Sequence, residues 1–201
     1  MRRVAWGRSA AGIVAAVAVL SLASQAALPI GPVPISLQSL AVVLTGALLG
    51  AARGAMAVLL WLALAAVGLP LLAEGTGGWA KFVGPSAGFL LAFPVAAGFA
   101  GAMLRGRPGI GRALLVALAA HAICLLGGGA WLAAAIGPVK AWSVGVLPFL
   151  PGALAKSLAA AVVVRALSRR GYASASVAPS GWASLPAAQA PARRSARVPR
   201  A

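Results

Sequence analysis

The chain has 201 residues, of which 62% are apolar and only 9% are charged, and its mean hydropathy is +0.98. A soluble domain normally carries charge on about a quarter of its residues, so this composition excludes a soluble domain and predicts a membrane protein. Apolar runs rich in Ala and Leu, without short alternating segments, favour membrane-spanning helices over a β-barrel. The sequence therefore predicts an all-α integral membrane protein.

Six apolar segments follow one another along the chain, each near the ~20 residues that a spanning helix needs, although the second is short. Proline and glycine residues mark the joints between them. The predicted segments are residues 10–28, 38–51, 54–72, 86–104, 111–131 and 148–167. The first joint runs from Pro29 to Pro34 and contains three prolines, which a regular helix cannot contain. We predict a stiff, extended turn there.

Seventeen basic residues and one acid give a net charge of +16, which would be typical of a nucleic-acid-binding protein. The distribution favours another interpretation, because the arginines occupy the N-terminus, two short connections and the stretch after the last segment. With six helices, all 14 arginines fall on one side, which is cytoplasmic by the positive-inside rule. Both termini are therefore predicted to be cytoplasmic, and residues 73–85 and 132–147 are predicted to be outer loops. No nucleic-acid partner is expected.

The two ends of the chain need separate interpretation. Residues 1–27 also resemble a secretory signal peptide, but its removal would leave five helices and place the C-terminal arginines outside. An uncleaved first helix is therefore preferred, and residues 1–170 are predicted to form one six-helix membrane domain. Residues 171–201 are rich in Ala, Ser and Pro and include four arginines. We predict that they form a disordered, basic cytoplasmic tail.

No constellation typical of an enzyme is visible. The sequence has no phosphate-binding P-loop, a single acid cannot supply a carboxylate pair, and no cluster has metal-ligand spacing. We therefore predict no catalytic residue, no metal site and no cofactor. His121 is assigned no site role, because a lone buried histidine more often packs or hydrogen bonds than binds a ligand. The glycines at 46, 50 and 54 predict a close-packing face on the second helix.

The first candidate for ligand binding is Lys156, which lies inside the sixth apolar segment. Ionisable residues within spanning segments usually face a cavity or a partner, and this interpretation is preferred over snorkelling to the outer interface. The second candidate is the glycine-rich loop at 73–85 with the residue that follows it, because glycines let the backbone approach a ligand closely. The candidate residues of this region are Glu74, Thr76, Trp79, Lys81, Gly84 and Ser86.

Four sequence stretches carry a resemblance to a known family. They are PVPISLQSLAVVLTGALLG, GLPLLAEGTGG, GPSAGF and FLPGALAK, in this order. Over residues 10–167 they resemble the BioY family, the biotin-binding S components of energy-coupling factor transporters. The resemblance implies six helices that enclose biotin near the outer face of a bacterial cell membrane. It also implies a membrane T subunit and two ATPase subunits as partners.

The resemblance also suggests roles for individual residues. The proline stretch, with Pro32 and Pro34, resembles the loop that closes over the vitamin, and Ala11 with Ala15 resembles a face that docks on the T subunit. The family's sixth helix usually reads Pro-Gly-Asp-x-x-Lys, and here Ala153 replaces the aspartate, so Lys156 lacks its acidic neighbour.

Three alternatives to biotin capture remain open at this point. One is an S component for another small anionic vitamin or a biotin precursor. The others are a structural or assembly protein of the membrane and an integral-membrane enzyme. The sequence also leaves open whether the protein works alone, as a homo-oligomer or only with energising partners.

Overall fold

The computed structural model describes residues 2–28 and 33–169, and most of them lie in α-helices. The helices are α1 (Arg2–Gln25), α2 (Gln38–Leu49), α3 (Ala51–Ala66), α4 (Ala87–Met103), α5 (Ile110–Ile136), α6 (Pro138–Ala141) and α7 (Leu150–Arg169). Two strands, β1 (Ala27–Leu28) and β2 (Ile35–Ser36), pair antiparallel. The fold is all-α, as predicted. The predicted tail at 171–201 and Pro32 lie outside the described residues.

The joint between α2 and α3 is a single residue, Gly50, with a φ of 83°. Residues other than glycine rarely adopt this conformation, so Gly50 ends one helix and allows the next to begin at once. The prediction of three glycines on one helix is therefore wrong. Gly46 lies in α2 and Gly54 in α3, and a Cβ on Gly54 would come within 2.7 Å of Cα of Gly46.

The prediction of an outer loop at 132–147 is also wrong, because this stretch is helical. α5 continues to Ile136, and α6 begins at Pro138. A π-helical turn (Trp142–Val146) and a 3-10 turn (Leu147–Phe149) then lead directly into α7. A proline at the start of a helix is well tolerated, because its missing N–H would have had no intrahelical partner there.

The connection between α3 and α4 contains two further 3-10 turns, Ala73–Gly75 and Trp79–Phe82. The main-chain N–H of Leu72 donates to the oxygen of Thr76 over 2.9 Å. The indole N–H of Trp61 donates to the oxygen of Leu71 over 3.2 Å, which attaches the connection to α3. The predicted glycine-rich loop is therefore a folded cap, which we define as residues 72–86, rather than an open loop.

α4 lies at the centre of the bundle and packs against α2, α3 and α5. Small residues make this packing close. A Cβ on Gly46 would collide with the backbone of Ala97, and a Cβ on Gly88 would collide with Gly127 and Trp131. Such contacts between small residues allow helix backbones to approach closely in lipid.

The outer surface of the bundle is apolar. Leu22, Leu115 and Leu126 are among many large apolar side chains that project outward, each about 70% exposed. Two helical stretches, Ile110–Ile136 and Pro138–Arg169, are long and apolar enough to cross a membrane, and four shorter apolar helices accompany them. An apolar exterior of this extent suits a hydrocarbon environment rather than water.

Candidate ligand-binding site

A cavity of about 470 Å³ opens between the folded cap, the segment that precedes α2, and helices α4, α5 and α7. This volume is within the range of roughly 300–1,000 Å³ that is typical of small-molecule sites. Since successive helices reverse direction, the cavity lies toward the end of the bundle opposite the arginine-bearing connections. This is the end of the bundle at which the cap and Pro34 lie.

One side of the cavity is apolar and aromatic. Phe89, Leu90 and Phe93 from α4 line it, and Phe149 faces them from the turn before α7. The rings of Phe89 and Phe149 stack with centroids 5.7 Å apart. Such a wall can bury the hydrocarbon part of a ligand, which is the main source of affinity in sites of this kind.

The charged groups of the cavity carry an excess of positive charge. Among the described lining residues, Lys81 and Lys156 are basic and Glu74 is the one acid. The ammonium group of Lys156 donates to the main-chain oxygen of Ser36 over 2.9 Å and to Oγ of Ser39 over 3.0 Å. An ammonium group has three N–H bonds, so one remains for a ligand. The arrangement suits an anionic or strongly polar ligand.

The predicted residues of the cap are brought together at this cavity, with one exception. Glu74, Thr76, Lys81, Gly84 and Ser86 all line it, as do Lys156 and Pro34. The hydroxyl of Thr76 donates to the main-chain oxygen of Ala73 over 2.7 Å, so toward a ligand it can only accept. The indole N–H of Trp131 in α5 donates to the oxygen of Gly84 over 3.0 Å and ties the cap to that helix.

Trp79 is the exception. Its side chain is 69% exposed and does not line the cavity, and its ring stacks on Phe82 with centroids 6.0 Å apart. The structure therefore does not support the expectation that Trp79 offers a face to the ligand. An exposed indole at the end of a membrane bundle is typical of an interfacial aromatic residue.

The predicted docking residues of α1 lie away from the cavity. Ala11 and Ala15 are both exposed on the outer surface of α1 and do not line it. Pro32, the first of the two lid prolines, lies outside the described residues. The strands β1 and β2 pair Ala27 with Ser36 and so hold together the two ends of the proline stretch.

Sequence reasoning missed four polar residues of the cavity, namely Ser36, Gln38, Ser39 and His121. The first three belong to the stretch Ile35-Ser-Leu-Gln-Ser39, whose polar residues interrupt an otherwise apolar chain. These polar residues in an apolar chain could therefore have been predicted to line the cavity. His121 was the one histidine of the chain, but nothing in its local sequence indicated which way the ring points.

Two buried polar atoms at this site have no hydrogen-bond partner among the described residues. They are Nε2 of Gln38 and Nε2 of His121, whose side chains are 7% and 3% exposed. Buried polar atoms are nearly always paired, so unpaired atoms that line a cavity indicate places where a ligand supplies the missing partner. The cavity thus combines an ammonium group, an apolar wall and unpaired polar atoms.

Comparisons with known proteins agree with this geometry. The family model described as "BioY family" matches residues 2–172. A biotin transporter BioY of Rhodobacter capsulatus is 41% identical, with 79% of this chain and 90% of that protein covered. A probable biotin transporter BioY of Pyrococcus horikoshii is 36% identical, with 75% and 90% covered.

A solved structure is similar over nearly the whole described bundle. The crystal structure of the S-component for biotin from an ECF-type ABC transporter matches with a TM-score of 0.76 and 30% sequence identity. The match covers 84% of this chain and 95% of that chain. The fold, the family model and the sequence relatives lead to one assignment. The chain belongs to the BioY family.

Proposed function

We propose that this protein captures biotin from the outer side of a bacterial cell membrane and delivers it into the cell together with an ATP-driven energising module. It is a transport protein and not an enzyme. The observation that carries the proposal is the 470 Å³ cavity, which joins an aromatic wall to the Lys156 ammonium group in a chain of the BioY family.

The chemistry of biotin suits this cavity. Its thioether ring and alkyl chain need apolar walls such as Phe89 and Phe93, its carboxylate needs a cation, and its ureido group needs donors and acceptors. Lys156 supplies one charged donor. The cap residues that line the cavity supply further polar contacts, and they are Glu74, Thr76, Lys81, Gly84 and Ser86.

The proline stretch is proposed as the lid of this site. Pro34 and the buried Val33 line the cavity, and the paired strands β1 and β2 fix the ends of the stretch. A segment stiffened by three prolines has few conformations to lose, so closing it over a ligand should carry a small entropic cost.

The orientation in the membrane follows from the arginines. Arg53 lies in the first turn of α3, and Arg105 and Arg107 lie in the α4–α5 connection, at the end of the bundle opposite the cavity. The positive-inside rule makes that end cytoplasmic. Within the described residues there are six apolar helical stretches, with Pro138–Arg169 counted as one. If each crosses the membrane once, both termini lie inside and the cavity lies outside.

The sequence contains no P-loop, which agrees with ATP hydrolysis being carried out by partner subunits. We propose a membrane T subunit and two ATPase subunits as these partners. The exposed small residues Ala11 and Ala15 on α1 are the proposed docking face. Replacing both with Trp should abolish biotin uptake and leave biotin binding unchanged, because the added rings block helix contact far from the cavity.

The control for this double substitution is Leu115→Trp, which adds a bulky ring at another exposed position, on α5. It should leave uptake unchanged. If the α1 double variant also imports biotin at the parent rate, the small-residue face is not where a partner docks.

Direct titration tests the proposed function. The purified protein in detergent should bind biotin with saturable heat release, and cells that express it with a T subunit and ATPases should accumulate radiolabelled biotin. Because Ala153 leaves Lys156 without an acidic neighbour, the same titration should include a biotin precursor and other small anionic vitamins. If one of these compounds binds tightly and biotin does not bind, that compound replaces biotin as the proposed substrate.

A further inference from the structure

The hydrogen bonds of His121 define which of its ring nitrogens carries a proton. Nδ1 lies 2.9 Å from the main-chain oxygen of Ala117, one turn earlier in α5. A carbonyl oxygen only accepts hydrogen bonds, so Nδ1 must carry the proton and donate it. In the neutral ring, Nε2 then presents a lone pair and is an acceptor.

Ser157 of α7 supports the same assignment. Its hydroxyl oxygen lies 2.9 Å from Nδ1 of His121 and 2.8 Å from the main-chain oxygen of Ala153. The single hydroxyl proton goes to Ala153, because that oxygen can only accept. The hydroxyl oxygen of Ser157 can then accept from Nδ1, so this neighbour is compatible with the donor role that the oxygen of Ala117 requires.

Nε2 of His121 is consequently a buried acceptor that lacks a partner among the described residues and belongs to a ring that lines the cavity. We propose that Nε2 accepts a hydrogen bond from an N–H group of the bound ligand, which makes His121 a specificity-determining residue. The inference rests on the proposed function, and in biotin the donor is one of the two ureido N–H groups.

A second unpaired atom supports a ureido group as the ligand's polar end. Ser36 Oγ accepts from the main-chain N–H of Gln38 over 3.4 Å and donates to its Oε1 over 3.0 Å. This orients the amide, so the unpaired Nε2 of Gln38 is a donor. The cavity thus contains one unpaired acceptor and one unpaired donor, which match a group that carries both N–H and C=O.

The side chain of Ala153 has no polar atom, although the residue lines the same part of the cavity. It therefore cannot accept a ligand N–H in place of His121. Ser157, on the next turn of α7, is already committed to Ala153 and His121. Around this end of α7, Nε2 of His121 is a buried side-chain acceptor that has no partner among the described residues.

Two substitutions at one position separate this role from a structural one. His121→Asn keeps a donor near the position of Nδ1 and removes the atom at Nε2, whereas His121→Gln places an amide oxygen near the position of Nε2. An unpaired ligand N–H should weaken biotin binding to the Asn variant by about five- to 150-fold. The Gln variant should recover most of this loss, and thermal melting without ligand should show that both variants are folded.

Ligand changes test the contact in the parent protein itself. Biotin methylated on the ureido nitrogen that faces His121 should bind to the parent at least about fivefold more weakly than biotin, since a donor is lost. The ratio of the affinity for biotin to the affinity for methylated biotin should be smaller in the Asn variant than in the parent. If His121 had a purely structural role, this ratio would be the same in both proteins.

The outcomes are distinct. If the parent binds no biotin, the proposed function fails and this inference fails with it. If the parent binds biotin but tolerates methylation of either ureido nitrogen, or if His121→Asn binds biotin as tightly as the parent, the inference alone is overturned.

Discussion

Replacing Lys156 with Met removes a positive charge from the cavity while it keeps the length of the apolar stem. The ammonium group already donates to Ser36 and Ser39, so one N–H remains for biotin. One charge-assisted hydrogen bond is worth about 1.5–3 kcal/mol. Biotin affinity should therefore fall by about ten- to a hundredfold, as measured by calorimetric titration of the detergent-solubilised protein at fixed ionic strength.

The same substitution also removes two internal hydrogen bonds, so its effect on stability must be measured separately. The unliganded melting temperature of the variant reports on the lost contacts to Ser36 and Ser39, whereas the dissociation constant reports on the ligand. Lys140→Met is the matched control, because Lys140 is exposed on α6 and does not line the cavity. It should leave affinity unchanged. Parent-like affinity of Lys156→Met would refute the assignment of this lysine to the ligand.

Three further predictions test the site, the packing and the orientation. Ala153→Asp restores an acid three residues before Lys156 and should tighten biotin binding, and an unchanged affinity in the same titration would show that the missing acid is irrelevant. Gly46→Ala should destabilise the protein by about 1–3 kcal/mol, because its Cβ would collide with α4. Gly12→Ala, which has open space around it inside α1, should not lower the melting temperature, because Ala is the better helix former. In intact cells an impermeant thiol reagent should label Val83→Cys in the cap but not Arg107→Cys, and the reverse pattern would invert the proposed orientation.

Helix positions were largely predictable because their signals are local. The positions of the prolines and glycines gave most joints to within a few residues. The joint between the second and third segments was predicted between residues 51 and 54, whereas the structure has it at Gly50, where a single residue with positive φ separates two helices. The expectation that glycine and proline mark a loop failed at Gly137 and Pro138. There a glycine and a proline mark the start of a new helical stretch rather than a loop. A helix-breaking residue indicates where the chain changes direction. It does not indicate how many residues around it are non-helical.

The binding site was predictable in part for a related reason. Lys156 was identifiable because an ionisable residue is rare in an apolar segment, and the cap residues were identifiable because glycine and polar residues cluster there. The partners of Lys156 were not, because Ser36 and Ser39 lie 120 and 117 positions away in the sequence. The orientation of His121 likewise depends on Ser157, a neighbour that only the packing of α5 on α7 brings close.

The hydrogen bond from Lys156 to position 36 uses a main-chain oxygen. Every amino acid supplies that oxygen, so substitutions at position 36 can accumulate without removing the acceptor, provided that β2 keeps its path. Position 156 has no such freedom, because the donor is the ammonium group of the lysine side chain. Pairwise covariation between aligned sequences would therefore be blind to this contact, and any constraint on the side chain at position 36 should come from its hydrogen bonds to Gln38 rather than from Lys156.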